Sequence, residues 1–138
     1  MENEYFHVRV ELMNLIEQFD ENGIKLSARL ADGINNYLID IDGTICDDIP
    51  NEEPERMLTA SEFAGAKDSL NKLYEDGHII TFFTSRTEAH KENTIIWLEE
   101  HDFKYHNIIF NKPRGGNYIW LDDRDARIIK FKGSFDEL

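Results

Sequence analysis

Apolar and polar positions follow two rhythms along the chain. Over residues 5–20, Phe6, Val10, Met13, Ile16 and Phe19 recur at helical spacing with charges between them, which predicts an amphipathic helix stopped by Asn22-Gly23. Ile24, Leu26, Ala28 and Leu30 then alternate, a pattern that suits a strand or a short helix. From Asn36 the rhythm changes: Tyr37, Leu38, Ile39 and Ile41 form a nearly continuous apolar run, as expected of a strand buried on both faces of a parallel sheet. Residues 46–58, with Pro50, Pro54 and several acids, read as a loop. Thr59-Ala60-Ser61-Glu62 matches a capping box and predicts a helix with Phe63, Ala66, Leu70, Leu73 and Tyr74 on its inner stripe, ended by Asp76-Gly77.

A second buried strand runs from His78 to Phe83 and ends at Thr84-Ser85-Arg86. Thr87 caps a helix reaching about His101, with Ile95, Ile96 and Leu98 among its apolar residues. Asn107 to Phe110 is a third strand, Tyr118 to Leu121 a fourth and Arg127 to Phe131 a fifth. Trp97 and Trp120 are expected in the core. Strands alternating with helices imply an α/β fold with a parallel sheet and right-handed crossovers.

The chain has 138 residues, a length for one compact domain, and its 41% apolar and 12% aromatic content is enough to bury a core. No apolar run approaches the roughly 20 residues of a membrane helix. The acidic start MENEYFHVRV does not read as a signal peptide, and the single Cys46 fits a reducing compartment, so a cytoplasmic location is expected. The formal charge of -13 disfavours a general grip on nucleic acid, so nucleic acid is not the expected partner. A site for a phosphorylated ligand must therefore make its positive potential locally. His7, His78, His90, His101 and His106 show no zinc-ligand spacing and are expected at the surface or in packing.

The unusual polar residues fall at strand ends. Asp40 and Asp42 follow the first buried strand, Thr84 and Ser85 the second, Lys112 the third, and Asp122 and Asp123 the fourth. In open parallel sheets these carboxyl ends share one edge, where ligands bind. Four carboxylates there repel one another unless a counter-charge is present, and a hard cation such as Mg²⁺ relieves this with carboxylate, water and phosphate oxygens. Lys112 adds a compact charge, Thr84 and Ser85 can donate to phosphoryl oxygens, and Gly43 lets backbone amides approach. Singly, each has a plainer reading: Asp42-Gly43 as a turn, Thr84 and Ser85 as caps, Lys112 as a surface lysine, and Arg86 as a salt-bridge partner. Jointly they suit a phosphoryl group in transit.

The segment Asp40-Ile41-Asp42-Gly43-Thr44-Ile45 resembles the first motif of the haloacid dehalogenase (HAD) superfamily. Thr84 after an apolar strand, Lys112 before a proline and the acid pair after Ile119, Trp120 and Leu121 follow in the family's order, over about residues 36–132. The resemblance implies a Rossmann-like three-layer sandwich around a mostly parallel sheet, with residues 1–35 as an N-terminal extension carrying the amphipathic helix and 36–138 as the catalytic domain. It implies Asp40 as a nucleophile forming an aspartyl-phosphate and Asp42 as the general acid and base, its carbonyl also touching the metal. Thr84, Ser85 and Arg86 are implied as phosphate or substrate contacts. Lys112 neutralises nucleophile and phosphate, and Asp122 and Asp123 complete a Mg²⁺ site. The second aspartate is the mark of phosphatases in this family.

The stretches between Ile45 and Thr59 and between Arg86 and Asn111 are too short for an inserted domain, so a capless member is expected, its open mouth taking a large substrate or being covered by a second copy in a homo-oligomer. Asp122-Asp123-Arg124 is similar to the fourth motif of deoxyribonucleotidases and polynucleotide 3'-phosphatases. The expected activity is hydrolysis of a small phosphorylated metabolite, a sugar phosphate or nucleotide. The alternatives are a non-catalytic phosphate-binding domain and a polynucleotide-end phosphatase.

Overall fold

A computed structural model describes residues 15–138. Residues 5–14 of the predicted N-terminal helix lie outside the described residues. The remainder of that prediction is corrected: Leu15–Phe19 is a strand, β1, paired antiparallel with β2, Lys25–Leu30. The turn decides the matter. The Asp20 carboxylate accepts from the Asn22 and Ile24 amides, Gly23 takes a φ of +79°, and Asp20 and Ile24 close the hairpin. A tight turn followed by a left-handed glycine is a three-residue hairpin signal, and it outweighs the loose helical spacing before it.

The predicted parallel sheet holds at its centre. β3 (Asn36–Ile39), β4 (Ile79–Phe83) and β5 (Asn107–Ile109) form a parallel sheet in that order, with Ile39 opposite Phe82 and Phe83 opposite Ile109. Helix α1, Ala66–Glu75, links β3 to β4, and α2, Lys91–Glu100, links β4 to β5. Both helices stop in the same way. Gly77 and Asp102 adopt left-handed φ of +96° and +60°, and the amides that follow, His78 and Phe103, reach back to the carbonyls of Leu73 and Leu98.

Helix α1 begins later than the capping-box pattern predicts. Residues 54–59 form a 3₁₀ turn. Residues 61–63 then bond to the 45–47 backbone, with Phe63 donating to Ile45 and Asp47 to Ser61. Gly65, at φ +83°, makes the bend into the helix. Tertiary pairing has taken the residues that local propensity assigned to the first turn.

The core lies between the sheet, the helices and these loops: Ile41, Ile45, Met57, Leu70, Ile80, Phe82, Trp97 and Leu98 are fully or almost fully buried. Each large side chain so buried contributes about 1.5–3 kcal/mol. The Trp97 indole N–H donates to the Ala60 carbonyl, which fastens α2 to the loop ahead of α1.

Two sheet predictions are corrected. Tyr118–Leu121 and Arg127–Phe131 form no strands, so the described sheet has three strands and the layering falls short of a full three-layer sandwich. Ile119 and Leu121 are 96% and 97% exposed, and Trp120 stands about half in solvent, not in the core. An apolar tetrad makes a strand only where it finds an edge to pair with. No helix among the described residues is long and apolar enough to cross a membrane.

Candidate active site

Parallel pairing of β3 and β4 carries the Asp40 and Thr84 loops to the same edge. The loop after β3 turns tightly: the Thr44 and Ile45 amides donate to the Ile41 carbonyl, and Gly43, at φ +81°, donates its amide to the Cys46 carbonyl at 2.9 Å. That amide is thereby engaged within the loop, so Gly43 serves the turn and not, in this arrangement, an incoming phosphate.

Asp40 and Lys112 meet. The ammonium lies 2.9 Å from Asp40 Oδ1, while the Thr44 hydroxyl donates to Oδ2 at 3.1 Å. The Lys112 side chain is 13% exposed and that of Asp40 38%, so the carboxylate faces solvent while its cation is sheltered. The shelter is aromatic: Nζ lies 5.6 Å from the ring centres of both Phe83 and Tyr118. Backbone bonds fix the lysine's approach, with the Lys112 amide donating to the Thr84 carbonyl and the Asn111 amide to that of Arg86.

Asp42 has a different cation. Arg86 Nε and Nη2 donate to Oδ2 and Oδ1 at 2.9 and 2.7 Å, a two-pronged contact in which the arginine is 1% exposed. Arg86 Nη1 also donates to the Thr94 hydroxyl, which itself donates to the His90 carbonyl. Arg86 is therefore committed to Asp42 and is not the expected substrate contact. Thr84 is fully buried, its hydroxyl oxygen accepting from the Arg86 amide, and Ser85 is half-buried with its carbonyl held by Asn51 Nδ2.

His90 braces these loops. Its Nδ1 accepts from the Thr87 amide, so the ring proton sits on Nε2 and donates to the Asn51 carbonyl. The packing role expected for the histidines fits His90 and His106, both buried.

The acid pair is not brought to this cluster. Asp122 is exposed and folded on its own segment, with Trp120 Nε1 donating to Oδ2 at 3.1 Å and the Arg124 amide to Oδ1 at 3.0 Å. The Trp120 bond first, then the Arg124 amide and the Asp123 side chain, hold its carboxyl below the usual range. Among the described residues no three His, Cys, Asp or Glu side chains form a group that could hold a metal ion. As arranged, the residues do not make the expected Mg²⁺ site. Asp40 and Asp42 each have a protein cation in its place.

Sequence reasoning missed Thr44, Thr94, Asn51 and His90 as supports. Only Thr94 left a signal, as a polar residue on the buried stripe of α2 with Trp97 and Leu98.

No family model and no curated protein matches the chain. Solved structures do. A structural-genomics target from Vibrio cholerae superposes with a TM-score of 0.51 at 20% identity, covering 68% of this chain and 84% of that one. A chain of the Pnkp1/Rnl/Hen1 complex gives 0.52 at 16% identity over 72% of this chain, and one from the Pnkp1/Rnl/Hen1 RNA repair complex gives 0.51 at 14% over 70%. This chain spans 42% and 34% of the latter two. At these identities the likeness is one of fold: a small α/β domain built on a parallel sheet, compatible with the HAD-like architecture that the motifs imply.

Proposed function

We propose that the chain hydrolyses phosphate monoesters through an aspartyl-phosphate on Asp40. One observation carries the reading: a solvent-facing aspartate at the end of a buried parallel strand, held on one oxygen by a sheltered lysine and on the other by a threonine hydroxyl. An Asp40 oxygen attacks phosphorus as the ester P–O bond breaks, and the leaving oxygen takes a proton from Asp42. Water then attacks the acyl-phosphate, giving its proton to Asp42 and restoring the Asp40 carboxylate. Lys112 offsets charge on nucleophile and phosphoryl oxygens throughout. Each Asp42 oxygen keeps a lone pair beyond the one Arg86 engages, so proton transfer does not require the clamp to open. Mg²⁺ enters from the motif resemblance alone, and no step here depends on it.

The test is chemical trapping. Wild-type protein should turn over p-nitrophenyl phosphate and yield a phosphoenzyme that hydroxylamine releases, as an acyl-phosphate requires. Asp40→Asn should do neither. Equal turnover by both proteins would remove Asp40 as nucleophile. A wild type that binds phosphate without turnover would favour the non-catalytic domain.

A further inference from the structure

The net charge of -13 is unevenly distributed. Residues 112–132 carry six Lys and Arg against three Asp, a net +3, while the rest of the chain carries nine against 25, a net -16. This basic stretch starts at the site, where Lys112 lies against Tyr118, and runs through Arg114, Arg124, Arg127, Lys130 and Lys132. It also exposes rings and apolar groups that a purely solvated segment does not need: Tyr118 and Trp120 are 46% and 47% exposed beside Ile119 and Leu121. Arg114 is paired with Glu52, and Arg124 donates to the Ser27 and Ala28 carbonyls, which ties the strip to β2. Arg127, Lys130 and Lys132 have no ion pair among the described residues, and with Ile128, Ile129 and Glu137 they line an open cavity of about 480 Å³.

We propose that this strip binds single-stranded nucleic acid and delivers its terminal phosphate to Asp40 and Lys112. The proposal names the substrate class for the hydrolase reading and rests on it. Unpaired cations at intervals, with half-exposed aromatic rings between them and Lys112 along the chain, match what a flexible polynucleotide offers: phosphates for the cations and base faces for the rings. A sugar phosphate has neither repeat. The acidic remainder of the protein does not forbid this, because at physiological salt, charges more than about 8 Å away are largely screened. Close to the strip, its own cations dominate. The overall charge misleads because it averages two surfaces.

The experiment uses a fluorescein-labelled oligouridylate of about ten nucleotides, in three forms: 3'-phosphorylated, 5'-phosphorylated and unphosphorylated. Anisotropy measures binding over a KCl series, and phosphate release is followed separately. Wild type should bind all three, with affinity falling as salt rises, and release phosphate from one of the two phosphorylated ends. Arg127→Gln/Lys130→Gln/Lys132→Gln should weaken binding at least tenfold and flatten the log–log salt slope by about two, at roughly 0.7 per lost phosphate contact. Its turnover of p-nitrophenyl phosphate should be unchanged. Trp120→Ala should weaken oligonucleotide binding by about tenfold through lost stacking. Turnover of p-nitrophenyl phosphate without oligonucleotide binding overturns the proposal alone. So does a triple variant that binds like wild type, or Trp120→Ala binding unchanged while inorganic polyphosphate binds as tightly as RNA. Oligonucleotide binding without any phosphate release overturns the hydrolase reading and, with it, the delivery of the phosphate end.

Discussion

Arg86 grips both carboxylate oxygens of Asp42 from a position 1% exposed to solvent, and its remaining nitrogen is held by Thr94. A guanidinium fixed on three sides holds its partner in one rotamer, and rotamer precision matters for the proton transfers proposed for Asp42. Removing one member of a buried pair leaves the other charge unpaired, which costs about 3–5 kcal/mol. Arg86→Gln should therefore lower the melting temperature by about 10–17 °C at this chain length. Arg86→Lys keeps the charge but not the fork, so it should reduce kcat by about tenfold to a hundredfold with little change in KM. That penalty should vanish in an Asp42→Asn background. Equal penalties in both backgrounds would make Arg86 a structural residue without a part in positioning Asp42.

Lys112 is tied to Asp40 differently, across a partly exposed contact. Exposed ion pairs contribute about 0–1 kcal/mol, so Lys112→Ala should unfold within that margin of wild type in urea. Its effect on turnover should be far larger, about a hundredfold or more, because transition-state charge loses its sheltered counter-ion. Lys112→Arg should not restore the rate: a planar fork cannot occupy the space of an ammonium between the Phe83 and Tyr118 rings. Stability and rate measured on the same samples separate the two effects.

What the sequence makes legible follows from how local each cause is. The β3–α1–β4–α2–β5 run can be read because buried parallel strands are apolar throughout and the helix stops are local, as at Gly77. Asp40 and Lys112 come together 72 residues apart because each follows the carboxyl end of a strand that flanks β4 in one parallel sheet. The Arg86–Asp42 clamp obeys no spacing rule, since any buried carboxylate at that edge would have satisfied the arginine. The strand at Leu15–Phe19 was hidden because Ile16 and Phe19 fit a helical period, whereas the Asp20 carboxylate that fixes the hairpin acts through backbone amides that sequence does not display. Tyr118–Leu121 shows the opposite failure. It has strand composition, but pairing is a property of two segments and only one was in view.

The acid pair sets up a test of magnesium. Trp120 Nε1 holds Asp122 Oδ2, and a cation would compete with that donor for the same oxygen. One hydrogen bond contributes about 1 kcal/mol net, or roughly fivefold in an equilibrium. With that oxygen held by its own segment and the pair apart from Asp40, turnover should be indifferent to added Mg²⁺, to chelator and to Asp122→Asn. Trp120→Phe, which keeps the ring but loses the donor, should strengthen any Mg²⁺ binding by Asp122 about fivefold in calorimetric titration and leave turnover unchanged. A Mg²⁺-dependent rate that Asp122→Asn abolishes would place the pair in a metal site after all.

Cys46 offers a check on the packing beneath the site. Its thiol is fully buried behind the Asp40 loop, and burial first, then the charge of Asp42, pushes its pKa up to about 12 from 9.0. Between those values the unfolded chain releases a proton that the folded chain keeps. Stability therefore falls as pH rises from about 9 towards 12, with a limiting slope of about 1.4 kcal/mol per pH unit from this residue. Below pH 9 the thiol is protonated in both states and contributes no slope. Every other group contributes equally in Cys46→Ala, so the difference between the two proteins isolates the thiol. Urea unfolding at several pH values above 9 should show wild type losing stability more steeply than Cys46→Ala. Parallel slopes would mean that the thiol reaches water, and that the loop carrying Asp40 and Asp42 is less tightly closed than its backbone bonds to Ile41 and Cys46 require.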